Sequence, residues 1–461
     1  MDRTGIAPAS NETRVLVENG EYWLNNKGDL AILDVSVRRL TRQWPSARVG
    51  VLTFAPGLLR AYEPAVEPIC YQRGGDWPRR SPRRLTGRRV PELTGPLFNA
   101  WDAATALPGR VARRLQPAHR SVDRTGSGRA DRERPALRRE GGRLPNALAD
   151  ATAVIAIGGG YLTDVDRFQT ERTLDLLGYA TTHGIPAFLI GQGIGPLGDE
   201  ALLRHAADVL PLVDLIALRE GLRGPDLLRR LGVPADRVIV TGDDAVELGY
   251  TVRPRELGND IGVCLRVADY SPVDTRMRTA LAAAVQSLAA ERSAALVPLI
   301  ISEHAAEDRR ATLPLLAGSA ATAAPLGRFA SARSLCRQVG RCRVVVTGAY
   351  HNAVFALSQG IPVVGMSTSQ YYDDKFNGLA AMFGDGLDLV RLDGEDVEDR
   401  LRRSVERMWH EAPRLRASLL DAAAHQVLAS RAVFDRIVGI VDGKVSRQPT
   451  NDPPSPPTCR L

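Results

Sequence analysis

Apolar residues along this chain keep two alternating rhythms. Short, nearly continuous apolar runs closed by Gly, Pro or Asp are followed by longer stretches in which apolar positions recur every three or four residues. The first rhythm predicts buried strands and the second amphipathic helices. Arg14–Glu18 (RVLVE) reads as a strand, followed by the polar loop NGEYWLNNKG. Asp29 stands where a helix N-cap is expected, and Leu30, Leu33, Val37 and Leu40 form one buried helical face. Arg48–Phe54 is the next strand, and after a long interruption Ala153–Ile157 (AVIAI) runs into Gly158-Gly159-Gly160. Helices near 168–183 and 200–210, strands AFLIG and LIAL, the helix PDLLRRLG and the strand RVIVTG complete a first unit. Strictly alternating strands and helices predict a parallel, doubly wound sheet.

The same plan starts again after the hinge-like segment 253–259. Strand DIGVCLRV, a helix over about 273–292, strand ALVPLII, a helix near Leu335 and strand RVVVTG lead to helix HNAVFALSQ and strand VVGM. Gly-Ile-Pro stands between helix and strand in both halves, at 184–186 and 360–362, because glycine ends a helix and proline prevents its continuation. The expected organisation is an α/β protein of two Rossmann-like domains facing a cleft, 1–252 and 253–445. Helices over about 395–441 finish the second domain and pack back across the first. SQYYDDKF reads as a loop, and the proline-rich tail 446–461 as disordered.

Composition changes this picture in one place. The formal net charge is +7. Residues 73–143 contain 18 arginines against 7 acidic residues, a surplus of 11, so the remainder of the chain is mildly acidic. This Arg/Pro/Gly-rich stretch is expected to be a largely flexible insertion with a helix around 97–107, and its plain reading is a solvated loop. A sharper one is an electrostatic contact with an anionic acceptor or the inner membrane face. A charge confined to one stretch without interleaved aromatics argues against nucleic acid. The five cysteines have neither zinc-ligand nor CxxC spacing, and no apolar run reaches membrane-spanning length. The expectation is a reduced, cytoplasmic protein with no dedicated metal site.

Open parallel sheets collect ligands beyond the carboxyl ends of their strands. This rule selects Asp29, Gly158–Gly160, Gln192, Arg219, Asp243 and Asp244 in the first half, and Arg266, His304, His351, Ser367 and Lys375 in the second. The triple glycine lets backbone amides approach an anion. His351 opens a helix, where the dipole depresses an imidazole pKa. Lys375 is one of only three lysines in an arginine-dominated chain.

Read in order, NNKGDLAIL, VIAIGGGYLTD, GQGIGPL, LIALREGLRGPDLLRRLG, VIVTGDDAVEL, IGVCLR and VVVTGAYHNAVFALSQGIPVVGMSTSQYYDDKF resemble the polysaccharide pyruvyl transferase family over about residues 14–385. The resemblance implies a glycosyltransferase-B-like arrangement and transfer of the pyruvyl group of phosphoenolpyruvate onto two hydroxyls of a sugar or lipid-linked glycan, forming a ketal, with no further cofactor. Arg219 and His351 match the family's arginine and its R-x-H histidine. On that reading Arg219 and Arg266 hold the donor with Lys375 and the amides of Gly158–Gly160, and His351 is the acid. The chain departs from the motif at Ala349, where the family often has arginine, which leaves three readings: Arg266 or Lys375 compensates, the donor differs, or the activity is lost. A nucleotide-sugar glycosyltransferase and a non-catalytic glycan binder remain alternatives.

Overall fold

The computed structural model describes residues 12–71, 74–78, 91–101, 144–267, 273–319, 321–394 and 396–445. Most of the arginine-rich insertion, including the second half of its expected helix, and the tail lie outside them.

The first half runs β1 (Arg14–Glu18), α1 (Lys27–Gln43), β2 (Arg48–Thr53), α2 (Pro56–Tyr62), β3 (Glu67–Cys70) and helix α3 (91–101). It continues with β4 (Ala153–Ala156), β5 (Gly159–Leu162), α4 (Arg167–Thr182), β6 (Ala187–Ile194), α5 (Glu200–Val209), β7 (Leu215–Leu218), α6 (Gly224–Arg230), β8 (Val238–Val240) and α7 (Ala245–Val252). Eight parallel strands form one sheet in the order β3-β2-β1-β4-β6-β7-β8, with β5 paired to β6. Helices cover both faces. Val15 and Val17 of β1 join one apolar cluster and Leu16 the other, which is why this strand is apolar at successive positions instead of alternating with polar ones.

The second sheet contains β9 (Asp260–Cys264), β10 (Leu296–Pro298), β11 (Cys342–Thr347), β12 (Val363–Ser367) and β13 (Leu387–Arg391), all parallel, in the order β10-β9-β11-β12-β13. Its helices are α8 (Thr275–Arg292), α9 (Glu307–Leu316), α10 (Ala332–Val339), α11 (Tyr350–Leu357), α12 (Gln370–Phe383) and α13 (Val397–Val445). Strand order reverses between β1 and β4 in one sheet and between β9 and β11 in the other, opening a crevice at each switch point.

Several expectations change. Asp29 is not the N-cap of α1: the Asn26 side chain takes that place, accepting from the Gly28 amide at 2.9 Å. The segment 370–376 is helical, because Tyr372, Phe376, Leu379 and Phe383 bury one face of α12. The expected C-terminal helices are one 49-residue helix with Pro413 inside it. That helix does return to the first half. Arg39 of α1 grips Glu247 and Asp244, and Ser430 of α13 donates to Asp244. Trp44 Nε1 donates to Asp442 at 3.1 Å. The halves also meet through the loop before α1: the Lys27 amide donates to the Ile301 carbonyl at 3.0 Å and the Glu303 amide to that of Asn25 at 2.8 Å.

Candidate active site

Between the carboxyl ends of β5, β6 and β7 and the starts of α11 and α12 lies a cavity of about 400 Å3. Gly160, Gly193, Arg219, Tyr350, Tyr371 and Lys375 line its inner end. At this end the first half supplies Arg219 and the second Lys375, while the exposed Arg223 and Arg230 also line the cavity.

Arg219 follows β7 directly and is 5% exposed. Its guanidinium lies 4.2 Å from the centre of the Tyr350 ring, which holds the planar group by cation–π attraction. Its Nη1 is 3.6 Å from Oδ2 of Asp243. Lys375 donates to the Tyr371 hydroxyl at 2.5 Å, and that hydroxyl donates to the Gly160 carbonyl at 3.2 Å. Gly160 makes this convergence possible. A Cβ there would stand 2.9 Å from Arg219 Nη2 and 3.1 Å from Lys375 Nζ.

His351 is buried in the first turn of α11, with Nε2 lacking a hydrogen bond and 3.8 Å from Asp243 Oδ2. That carboxylate oxygen is likewise buried without a hydrogen bond, while Oδ1 accepts from the Ala245 amide at 2.9 Å. Two unsatisfied buried polar atoms facing one another are costly in a folded protein and mark a place for a ligand or water. Asp29 is half-buried on the first turn of α1, one residue after Gly28, on which the His351 ring lies.

The charges in the cleft set one another's titration. Burial, then the positive charges of Arg219, Lys375 and Arg266, push the His351 pKa well below its usual value, so the imidazole is neutral. Burial and the same two arginines also push the Lys375 amine well down. Desolvation, helped by Glu21 and Asp243, raises Asp29 to about 7. Burial raises Asp243 to about 6 despite the opposing Arg219 charge.

Of the strand-end residues singled out from sequence, Gly160, Arg219 and Lys375 line the cavity, Asp243 lies beside Arg219 and His351, and Asp29 is within electrostatic reach of Asp243, Arg219 and Lys375. The others do not join them. Gly158 packs on the β6 backbone and Gly159 under the Tyr161 ring, and since 159–162 is strand β5 the triple glycine forms no amide nest. The Gln192 amide donates to the Ile157 carbonyl and the Tyr161 hydroxyl, both at 2.7 Å, tying β6 to β4. Asp244 anchors α13 through Arg39 and Ser430. Arg266 grips both oxygens of buried Asp308, so its charge is already matched. His304 is about half exposed and pairs with Glu21 at 2.9 Å. Ser367 donates to Asp373, which also holds Arg391. With Arg266 engaged, Lys375 is the second-half basic residue that lines the cavity, and Ala349 is buried. Sequence reasoning missed Tyr350, Tyr371 and Gly28. The i, i+4 spacing of Tyr371 and Lys375 was the available signal, hidden by reading that segment as a loop. Among the described residues no group of three His, Cys, Asp or Glu could hold a metal, and no helix is long and apolar enough to cross a membrane.

The family model of polysaccharide pyruvyl transferase matches residues 26–370. No curated protein matches the chain. Among solved structures, UDP-GlcNAc 2-epimerase from Neisseria meningitidis bound to UDP-GlcNAc is similar at 12% identity and a TM-score of 0.52, over 93% of this chain and 100% of that one. MnaA from S. aureus, solved with UDP, aligns at 12% identity and a TM-score of 0.52, over 96% of this chain and 100% of that one. At such identities these two share the fold alone: two Rossmann-like domains in the glycosyltransferase-B arrangement.

Proposed function

We propose that this chain, which belongs to the polysaccharide pyruvyl transferase family, binds phosphoenolpyruvate at the inner end of the cavity and transfers its pyruvyl group to two hydroxyls of a sugar as a ketal. The observation that carries the reading is the convergence of Arg219 and Lys375, one from each half, on the Gly160 backbone. A planar guanidinium suits bidentate capture of a carboxylate or phosphate, and an ammonium supplies a point charge beside it.

The reaction needs one proton delivered to the donor's methylene carbon. The adjacent carbon then becomes electrophilic, one acceptor hydroxyl adds to it, and a second displaces inorganic phosphate to close the ring. Donor and diol are converted to ketal and phosphate without any redox change. A neutral His351 is poorly suited to supply the proton and well suited to take one from the attacking hydroxyl. Asp243, 3.8 Å from its Nε2, then stabilises the imidazolium. Asp29, carrying a proton near neutral pH, is the better acid. These assignments exchange the acid role expected of His351 for that of a base.

Thermal unfolding with phosphoenolpyruvate and, separately, with a panel of UDP-sugars tests the donor. Phosphoenolpyruvate at a hundred times its Kd should add about 2.7 kcal/mol of stability, and the gain should vanish in Arg219→Ala. Stabilisation by a UDP-sugar alone would replace this reading with a nucleotide-sugar glycosyltransferase.

A further inference from the structure

The chain has three lysines, and two of them are held in contrasting ways. Lys27 is buried against a carboxylate, that of Glu303. Lys375 has no such partner among the described residues: Asp374 beside it is taken by Arg223 at 2.7 Å and Asp373 by Arg391. What fixes its amine is Tyr371, one turn earlier on α12, with Nζ 3.9 Å from the ring centre and 2.5 Å from the hydroxyl. The Lys375 side chain is partly accessible and lines the cavity.

An amine in these surroundings carries a lone pair near neutral pH. Burial and the charges of Arg219 and Arg266, opposed only by Asp29, hold it well below its usual value. Desolvation and a neighbouring cation are what make a lysine nucleophilic toward carbonyl carbon. Arg219 supplies the other part of a recognition site. The point that a Gly160 Cβ would occupy is 2.9 Å from Arg219 Nη2 and 3.1 Å from Lys375 Nζ, so the two groups flank one small volume. A 2-oxo acid carries its carboxylate and its ketone on adjacent carbons and suits that spacing. The guanidinium grips the carboxylate while the amine faces the ketone. A polyanion would recharge the amine, whereas a monoanion already matched by Arg219 leaves it neutral.

We propose that Lys375 captures 2-oxo acids such as pyruvate as a covalent imine, with Arg219 holding the carboxylate and Tyr371 relaying protons. Nζ adds to the ketone carbon. Both amine protons pass through the Tyr371 hydroxyl to the ketone oxygen, which leaves as water. A C=N bond replaces C=O, and nothing is oxidised or reduced. This capture is separate from pyruvyl transfer and holds whichever donor the cavity takes.

The test is reductive trapping. The full chain is incubated with pyruvate and sodium cyanoborohydride, which reduces an imine to a stable secondary amine, and adducts are mapped by mass spectrometry. One adduct is expected, on Lys375, forming at least tenfold faster than with acetone, which lacks the carboxylate. Arg219→Ala should erase that preference, and Tyr371→Phe should slow trapping about tenfold or more. No adduct with pyruvate would overturn the proposal. So would adducts spread evenly over the three lysines, equal rates with acetone, or an undiminished adduct in a folded Lys375→Met variant. Thermal stabilisation by phosphoenolpyruvate without any trapping would sink this inference and leave the donor reading standing.

Discussion

The His351 ring rests directly on Gly28, so closely that a Cβ at position 28 would overlap it. A residue from the first half thereby sets where the imidazole of the second half can stand. Alanine in the first turn of α1 would, on propensity alone, favour the helix by about 0.5–1 kcal/mol. Overlap with the buried imidazole costs more, about 1–3 kcal/mol, so Gly28→Ala should lower Tm while pushing His351 away from Asp243. A displacement near 1 Å at a reacting group costs about a hundredfold in turnover. Acceptor-dependent phosphate release from phosphoenolpyruvate should fall by that order, and the loss should not add to that of His351→Ala. Additive losses would mean that Gly28 acts elsewhere.

Asp29 predicts opposite responses of stability and activity. Its carboxyl is raised from 3.8 to about 7, so the folded chain binds a proton there that the unfolded chain has released. That contribution to stability is fully present below the unfolded pKa and is lost as pH rises toward about 7. Asp29→Asn should consequently match the parent near pH 4 and be more stable above pH 7, by roughly 1–3 kcal/mol given partial solvent access. Turnover in the same variant should drop by about 10²–10⁴. Melting curves from pH 5 to 8 check the first part. A stability difference that does not widen with pH would show Asp29 to be ionised throughout.

Lys375 makes a separate prediction about protons. Burial and two neighbouring arginines hold its amine well below the usual value. A dianionic ligand placed against it would restore the charged form, so binding should draw a proton from solution. Calorimetric titration with phosphoenolpyruvate in buffers of different ionisation enthalpy measures that uptake directly. Uptake should disappear in Lys375→Met. Arg219→Lys should not rescue Arg219→Ala, since an ammonium lacks the planar fork that stacks on Tyr350 and grips two oxygens.

Much of the fold was legible because strand and helix rhythms differ, and both faces of β1 are apolar for the same reason that β1 is central. The site was legible only in part. Looking just past each strand found Arg219, Asp243 and His351, but polar residues there also serve as ties. Arg266 meets a partner 42 positions away and Asp244 one 186 positions away, separations at which no local pattern announces the pairing. Tyr371 was lost for a different reason. Its role depends on α12 being a helix, which follows from buried Phe376 and Leu379 and not from the polar residues that made the segment look like a loop.

The tie between the halves at Lys27 and Glu303 should respond asymmetrically to mutation. Both side chains are nearly inaccessible, at 2% and 4% exposure, with Lys27 Nζ 3.4 Å from Glu303 Oε1. Glu303 also receives Arg309 at 2.6 Å. Lys27→Met leaves that carboxylate paired and replaces a costly buried amine with an apolar chain of similar length, so its effect should be about 1 kcal/mol or less. Glu303→Leu instead strands Lys27 and weakens the hold on Arg309, and removing one partner of a buried pair costs about 3–5 kcal/mol. The Lys27→Met, Glu303→Leu double variant should recover part of that loss. Urea unfolding of the three variants measures the cycle. Equal costs for the two single substitutions would mean that Arg309 does not share the carboxylate in solution, and that the halves are joined chiefly by the backbone bonds of Asn25, Lys27, Ile301 and Glu303.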